Sequence, residues 1–71
     1  MFAIRSKKDK RWVYGTDYRY NPPRQKLSYE EVKIYKDEAT ALVDARFRQI
    51  NFNKYQLVSV GLIELNVDDQ H

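Results

Sequence analysis

The chain predicts a small α+β domain of order β-β-β-α-β, with an antiparallel or mixed sheet and one helix packed on a face. Three observations carry that reading. Apolar and polar residues alternate on both sides of the Lys7-Lys8-Asp9-Lys10 stretch, Lys36-Asp37-Glu38 supplies a helix start, and an apolar run begins at Tyr55.

Phe2 and Ile4 alternate with Ala3 and Arg5, and Trp12 and Tyr14 fall opposite Val13, which is the pattern of a hairpin. On this parity Trp12 and Tyr14 belong to the hydrophobic side. The second strand continues through Thr16, Tyr18 and Tyr20, with Gly15 marking a bulge or a close backbone approach. Asn21-Pro22-Pro23 stops it, because two prolines remove two ladder donors, and residues 21–26 become an exposed, stiff connector.

A third strand is expected from Leu27 to Tyr35, where Val32 and Ile34 share parity. Asp37 then caps a helix, and Glu38 places negative charge at its positive end. Ala39, Val43, Phe47 and Ile50, with Leu42 beside them, form the stripe expected to face the sheet. Asp44 and Arg48 fall on the opposite side as an i,i+4 pair, and the helix should end near Asn51–Asn53. The fourth strand runs from Tyr55 to about Leu65 and, being apolar on both faces, reads as central. Residues 1–65 therefore form one domain and 66–71 a polar tail. If strands three and four are parallel, the helix makes a right-handed crossover between them.

The chain has 71 residues, no Cys and one His, so no disulfide supports so small a core and a metal site would need distant carboxylates to converge. Six Tyr, three Phe and one Trp supply bulk instead, each ring burying roughly 150–250 Å². Charge is uneven along the chain. Residues 1–26 carry eight basic groups against two acidic, a net +6, whereas residues 27–71 carry five against eight, a net −3. The N-terminal part is thus suited to an anionic partner, either nucleic acid or an acidic protein face. Met1–Lys10 is expected to be neither a signal peptide nor a membrane anchor, and no apolar run is long enough to span a bilayer, so a cytoplasmic location is expected.

The segment from Arg11 to Lys26 concentrates the residue types that recognition uses. Aromatic faces stack on bases or anchor protein interfaces, and guanidinium and ammonium groups hold phosphates or carboxylates. The candidate binding residues are Trp12, Tyr18, Arg19, Tyr20, Arg24 and Lys26. Within them, Tyr18, Tyr20 and Arg24 are the anchors, since they lie beside the prolines without evident aliphatic partners. Lys7, Lys8, Lys10 and Arg11, around the first turn, are the alternative set for nucleic-acid phosphates. The same turn can equally be a solubilising tip that discourages edge pairing.

Catalysis finds little support. Glu30 and Glu31 point to opposite faces of a strand, Asp37 and Glu38 already serve the helix start, and Asp68 and Asp69 lie in the tail. With no thiol and only His71, Ser6, Ser28 and Ser59 lack an activating base, and Gly15 and Gly61 do not make a phosphate loop. No enzyme activity, metal or cofactor is expected.

The segment KRWVYGTDYRYNPPRQK, together with the acidic helix start YKDEATA, resembles small uncharacterised proteins of Gram-positive phages and prophages, chiefly through WVYGTDYRY. That resemblance implies an accessory protein that binds nucleic acid, or that binds and blocks a host enzyme such as a defence nuclease. The expectation is a non-catalytic binding protein acting on a host protein or nucleoprotein. Direct nucleic-acid binding through the basic hairpin is the alternative, and a structural or self-assembling phage component is the third.

Overall fold

The computed structural model describes residues 1–61. Strands β1 (Phe2–Ser6), β2 (Trp12–Asp17), β3 (Arg24–Ser28) and β4 (Tyr55–Ser59) form one sheet of order β3-β2-β1-β4, and helix α1 (Glu38–Phe47) separates β3 from β4 in sequence. The expected β-β-β-α-β order holds, and every ladder is antiparallel. No parallel crossover therefore exists among the described residues. Strand β4 returns beside β1 at an edge, where Ala3 pairs with Val58 and Ile4 with Leu57, instead of entering the centre. Residues 62–65 of the expected strand, and the expected tail, lie outside the described residues.

The first hairpin turns at Lys7–Lys10, with Lys10 in the left-handed region at φ 63°. In β2 the expected bulge is present: the register with β3 shifts between Val13 and Gly15. Strand β2 ends at Asp17 and does not continue to Tyr20. The Asp17 carboxylate accepts hydrogen bonds from the backbone and side chain of Arg19, and this local turn competes with the ladder.

Both prolines fall inside the turn, where the Asn21–Pro22 peptide bond is cis. The chain is thus free to resume pairing at Arg24, opposite Asp17, so residues 24–26 belong to β3 and not to a connector. Strand β3 also ends early, at Ser28, whose Oγ accepts from the backbone N–H groups of Glu30 and Glu31. Residues 29–34 are irregular. Lys33 N–H donates to the Val13 carbonyl, and Tyr35 exchanges backbone bonds with Phe2, closing the end of the sheet.

Asp37 caps α1 as expected, its Oδ1 accepting from Thr40 N–H at 2.8 Å. The helix ends at Phe47, four residues before the polar amides. Gln49 adopts φ 54°, its N–H donates to the Arg46 carbonyl and Ile50 N–H donates to the Ala45 carbonyl. This is the reciprocal pair of a Schellman cap, here with Gln where glycine is usual and with Ile50 and Ala45 both in the core.

The helix face is the principal correction. Ala41 and Ala45 are fully buried, whereas Val43 is 59% and Phe47 74% exposed, and Ala39 and Leu42 are exposed beside them. Small side chains let the helix approach Ile4 and Val13, the largest fully buried residues. A Val or Phe in those places would hold it off. Ile50, alone of the expected stripe, joins the core with Tyr35, while Phe2, Leu27, Tyr55 and Leu57 pack around it. Burying Ile4 and Val13 contributes about 1.5–3 kcal/mol each before chain entropy.

The parity of β2 is likewise inverted. Val13 faces the core and Tyr14 is exposed, so Trp12 and Tyr14 occupy the sheet face away from α1. Among the described residues no helix is long and apolar enough to cross a membrane.

Candidate functional site

The turn between β2 and β3 and the segment between α1 and β4 face one another across an open groove of about 550 Å³. One wall is built from Tyr20 through Gln25. The other is Gln49, Asn51, Lys54 and Tyr55. Hydrogen bonds hold the walls at a fixed separation. Gln25 Nε2 donates to the Arg48 carbonyl at 2.8 Å, Thr16 Oγ1 donates to Gln25 Oε1 at 2.7 Å, and Arg48 Nη1 donates to Thr16 Oγ1 at 2.9 Å.

Behind these bonds lies a second set on the sheet side of α1. Arg48 Nε donates to Asp44 Oδ2 at 2.6 Å, and the Tyr35 hydroxyl donates to the same oxygen. The Asp44–Arg48 pair thus fastens the helix to the strands, in contrast to the solvent-facing pair expected. Burial opposes ionisation of Asp44, but the bonds from Tyr35 and Arg48 outweigh it and hold its carboxyl below the usual range. Burial, and then the bond to Asp44, pushes the Tyr35 hydroxyl well above its usual value.

At the mouth of the groove Arg24 Cζ lies 3.9 Å from the centroid of the Tyr20 ring. This contact aligns the guanidinium with the ring and leaves both partly exposed, Tyr20 at 42%. Arg24 and Lys54 stand on opposite walls, and among the described residues no carboxylate lines the space. The chemistry offered is two cations, amide side chains and two phenols, a set that suits an anionic, planar or carboxylate-bearing segment.

Of the expected binding residues, the fold brings Tyr20 and Arg24 together in the groove and leaves the others elsewhere. Tyr18 is 61% exposed on the turn outside the lining. Arg19 is engaged with Asp17 at 2.7 Å, and its side-chain hydrogen bond is the largest factor lowering the Asp17 carboxyl to about 2. Trp12 lies under the Arg5 guanidinium at 5.5 Å, on the face away from α1. Lys26 pairs with Gly15 across β3 and β2, away from the lining.

The alternative basic set is split in the same way. Arg11 is tied to Asp9 at 2.7 Å. Lys7 and Lys8 are exposed on the first turn, and Lys7 N–H donates to the Lys54 carbonyl at 2.9 Å. The first turn therefore adjoins the groove through Lys54. Sequence reasoning missed Gln49, Asn51, Lys54 and Tyr55. Only the amide-rich stretch Asn51–Asn53 signalled a turn there, and nothing local placed it opposite the prolines.

No group of three or more potential metal-ligating side chains converges among the described residues. No protein-family model, curated protein or solved structure matches the chain.

Proposed function

We propose that this chain is a non-catalytic binding protein whose site is the groove between the β2–β3 turn and the α1–β4 segment. The observation that carries the reading is the Arg24–Tyr20 stack facing Lys54 across a space that, among the described residues, no carboxylate lines. Its partner is a host protein or nucleoprotein presenting an acidic segment. A guanidinium stacked on a phenol is held in one orientation, so it loses less freedom when a carboxylate docks against it. Tyr and Arg are also the residue types that dominate interface energetics. The setting is a phage or prophage accessory protein in the bacterial cytoplasm, where occlusion of a host defence or nucleic-acid enzyme needs no chemistry of its own.

A second reading, direct nucleic-acid binding, is favoured by the Lys7–Lys54 backbone bond, which aligns the basic turn with the groove. The two separate in one experiment. Tagged full-length chain is incubated with bacterial lysate, with and without nuclease. A protein retained at undiminished yield after nuclease supports the main reading, and capture abolished by nuclease supports the second. Specific capture of nothing under either condition overturns both.

A further inference from the structure

Among the described residues, the outer face of α1 is apolar and serves neither the core nor the groove. Ala39, Val43 and Phe47 follow one another at four-residue spacing, with Thr40 and Asp44 completing the lining of a shallow depression of about 430 Å³. The flank beside them carries Glu38, Leu42 and Arg46, all exposed. We propose that this face is a two-fold interface through which α1 pairs antiparallel with α1 of a second copy. The inference goes beyond the groove reading and shares no lining residue with it.

The face is self-complementary in both size and charge. In a two-fold pair each residue meets its counterpart reciprocally. With Val43 at the axis, Ala39 lies opposite Phe47 of the second copy and Phe47 opposite Ala39. Each large ring then enters the depression over a small residue, the alternation that lets facing helices interdigitate.

On the flank the same symmetry places Leu42 against Leu42 and Glu38 against Arg46 of the second copy, twice over. An antiparallel arrangement brings like flanks together, so both pairs are attractive. Acid in the first turn and base in the last also suit each helix's own dipole. Asp44, at the edge of the depression, is already satisfied by Tyr35 and Arg48 and brings no unpaired charge into the contact.

One short helix is a small contact beside the roughly 1,200 Å² or more of a stable complex, so the pairing is reversible and concentration-dependent. Sedimentation equilibrium of the full chain over a wide concentration range reads it directly. The weight-average mass rises toward twice the chain, and Phe47→Glu weakens association by about tenfold or more, as loss of an anchoring aromatic does.

Charge exchange tests the geometry. Glu38→Arg and Arg46→Glu each weaken association, and the double exchange restores it, with helical content followed by circular dichroism in every variant. Because the chain has no cysteine, Val43→Cys supplies a second readout. It crosslinks between copies on oxidation at least about tenfold faster than Lys36→Cys, since a disulfide needs Cα atoms within about 7 Å.

A monomer at every concentration overturns the proposal. So does a monomer whose Val43 and Phe47 resist covalent labelling, an outcome that would assign the cover to residues 62–71. Association indifferent to Phe47→Glu and to both charge variants overturns it as well.

Discussion

Arg24 Cζ stands 3.9 Å from the centre of the Tyr20 ring, across a turn that contains both prolines. Three residues separate the two in sequence, and the turn makes them neighbours. The contact lies at the surface, so its contribution to folding is small, about 0.5–1 kcal/mol. Tyr20→Leu is therefore expected to lower the melting temperature by no more than roughly 8 °C, a figure scaled from 4–8 °C per kcal/mol in domains of this size. A larger loss in a thermal melt would make the stack structural in place of functional.

The inverted helix face gives a sharper test of packing. Ala41→Leu or Ala45→Leu, at fully buried positions against the sheet, should cost about 1–3 kcal/mol through overpacking. Val43→Ala and Phe47→Ala should stay within about ±0.5 kcal/mol in dilute solution, below any self-association. Urea unfolding measures both, and the reverse order of effects would restore the stripe first expected from sequence.

Gln49 occupies a left-handed position that costs an L-residue roughly 1–2 kcal/mol, partly offset for glycine by its greater unfolded freedom. Gln49→Gly should consequently stabilise the chain by about 0.5–1 kcal/mol and raise the melting temperature by a few degrees. Gln49→Val should do the opposite, because branching at Cβ crowds that conformation further. Equal melting temperatures for the two variants would mean that the cap does not hold in solution.

The Tyr35–Asp44–Arg48 contacts set a window of pH stability. Asp44 titrates below its unfolded value of about 3.9, so its contribution is full above that pH and falls as pH drops through the lowered value. Tyr35 titrates above its unfolded value of about 10, so its contribution is full below that pH and declines as pH rises beyond it. Chemical denaturation across pH should show a plateau between these limits. Asp44→Asn should flatten the acid limb and Tyr35→Phe the alkaline limb, and unchanged limbs would place the responsible groups elsewhere.

What the sequence disclosed and what it concealed divide on physical lines. Asp37 and Gly15 were readable because a cap and a bulge are local devices whose residue types announce them. The helix face was not. An apolar stripe registers bulk, whereas this sheet takes the helix on Ala41 and Ala45, the smallest side chains available, and leaves Val43 and Phe47 outside.

Strand β3 was misplaced for a related reason. Arg24–Lys26 is polar and pairs at an edge, so no alternation marks it, and Val32 and Ile34 gave a stronger pattern to residues that pair with little. Tyr20 and Arg24, the two expected binding residues that line the groove, were singled out by residue type and by their place beside the prolines. Lys54 and Gln49 were hidden because only the fold brings their loop to the turn, and Arg19 and Arg11 are engaged by neighbouring aspartates that residue type alone does not pair with them.

Capture by the double variant Tyr20→Ala/Arg24→Ala tests the central claim most directly. Tagged wild-type and variant chains, matched in melting temperature, are incubated with the same nuclease-treated bacterial lysate, and the retained partner is quantified. The groove reading predicts that the variant loses the partner, with affinity down roughly several hundredfold for two anchors each worth about 2 kcal/mol. Undiminished capture by a folded variant would contradict it and move the site away from the groove.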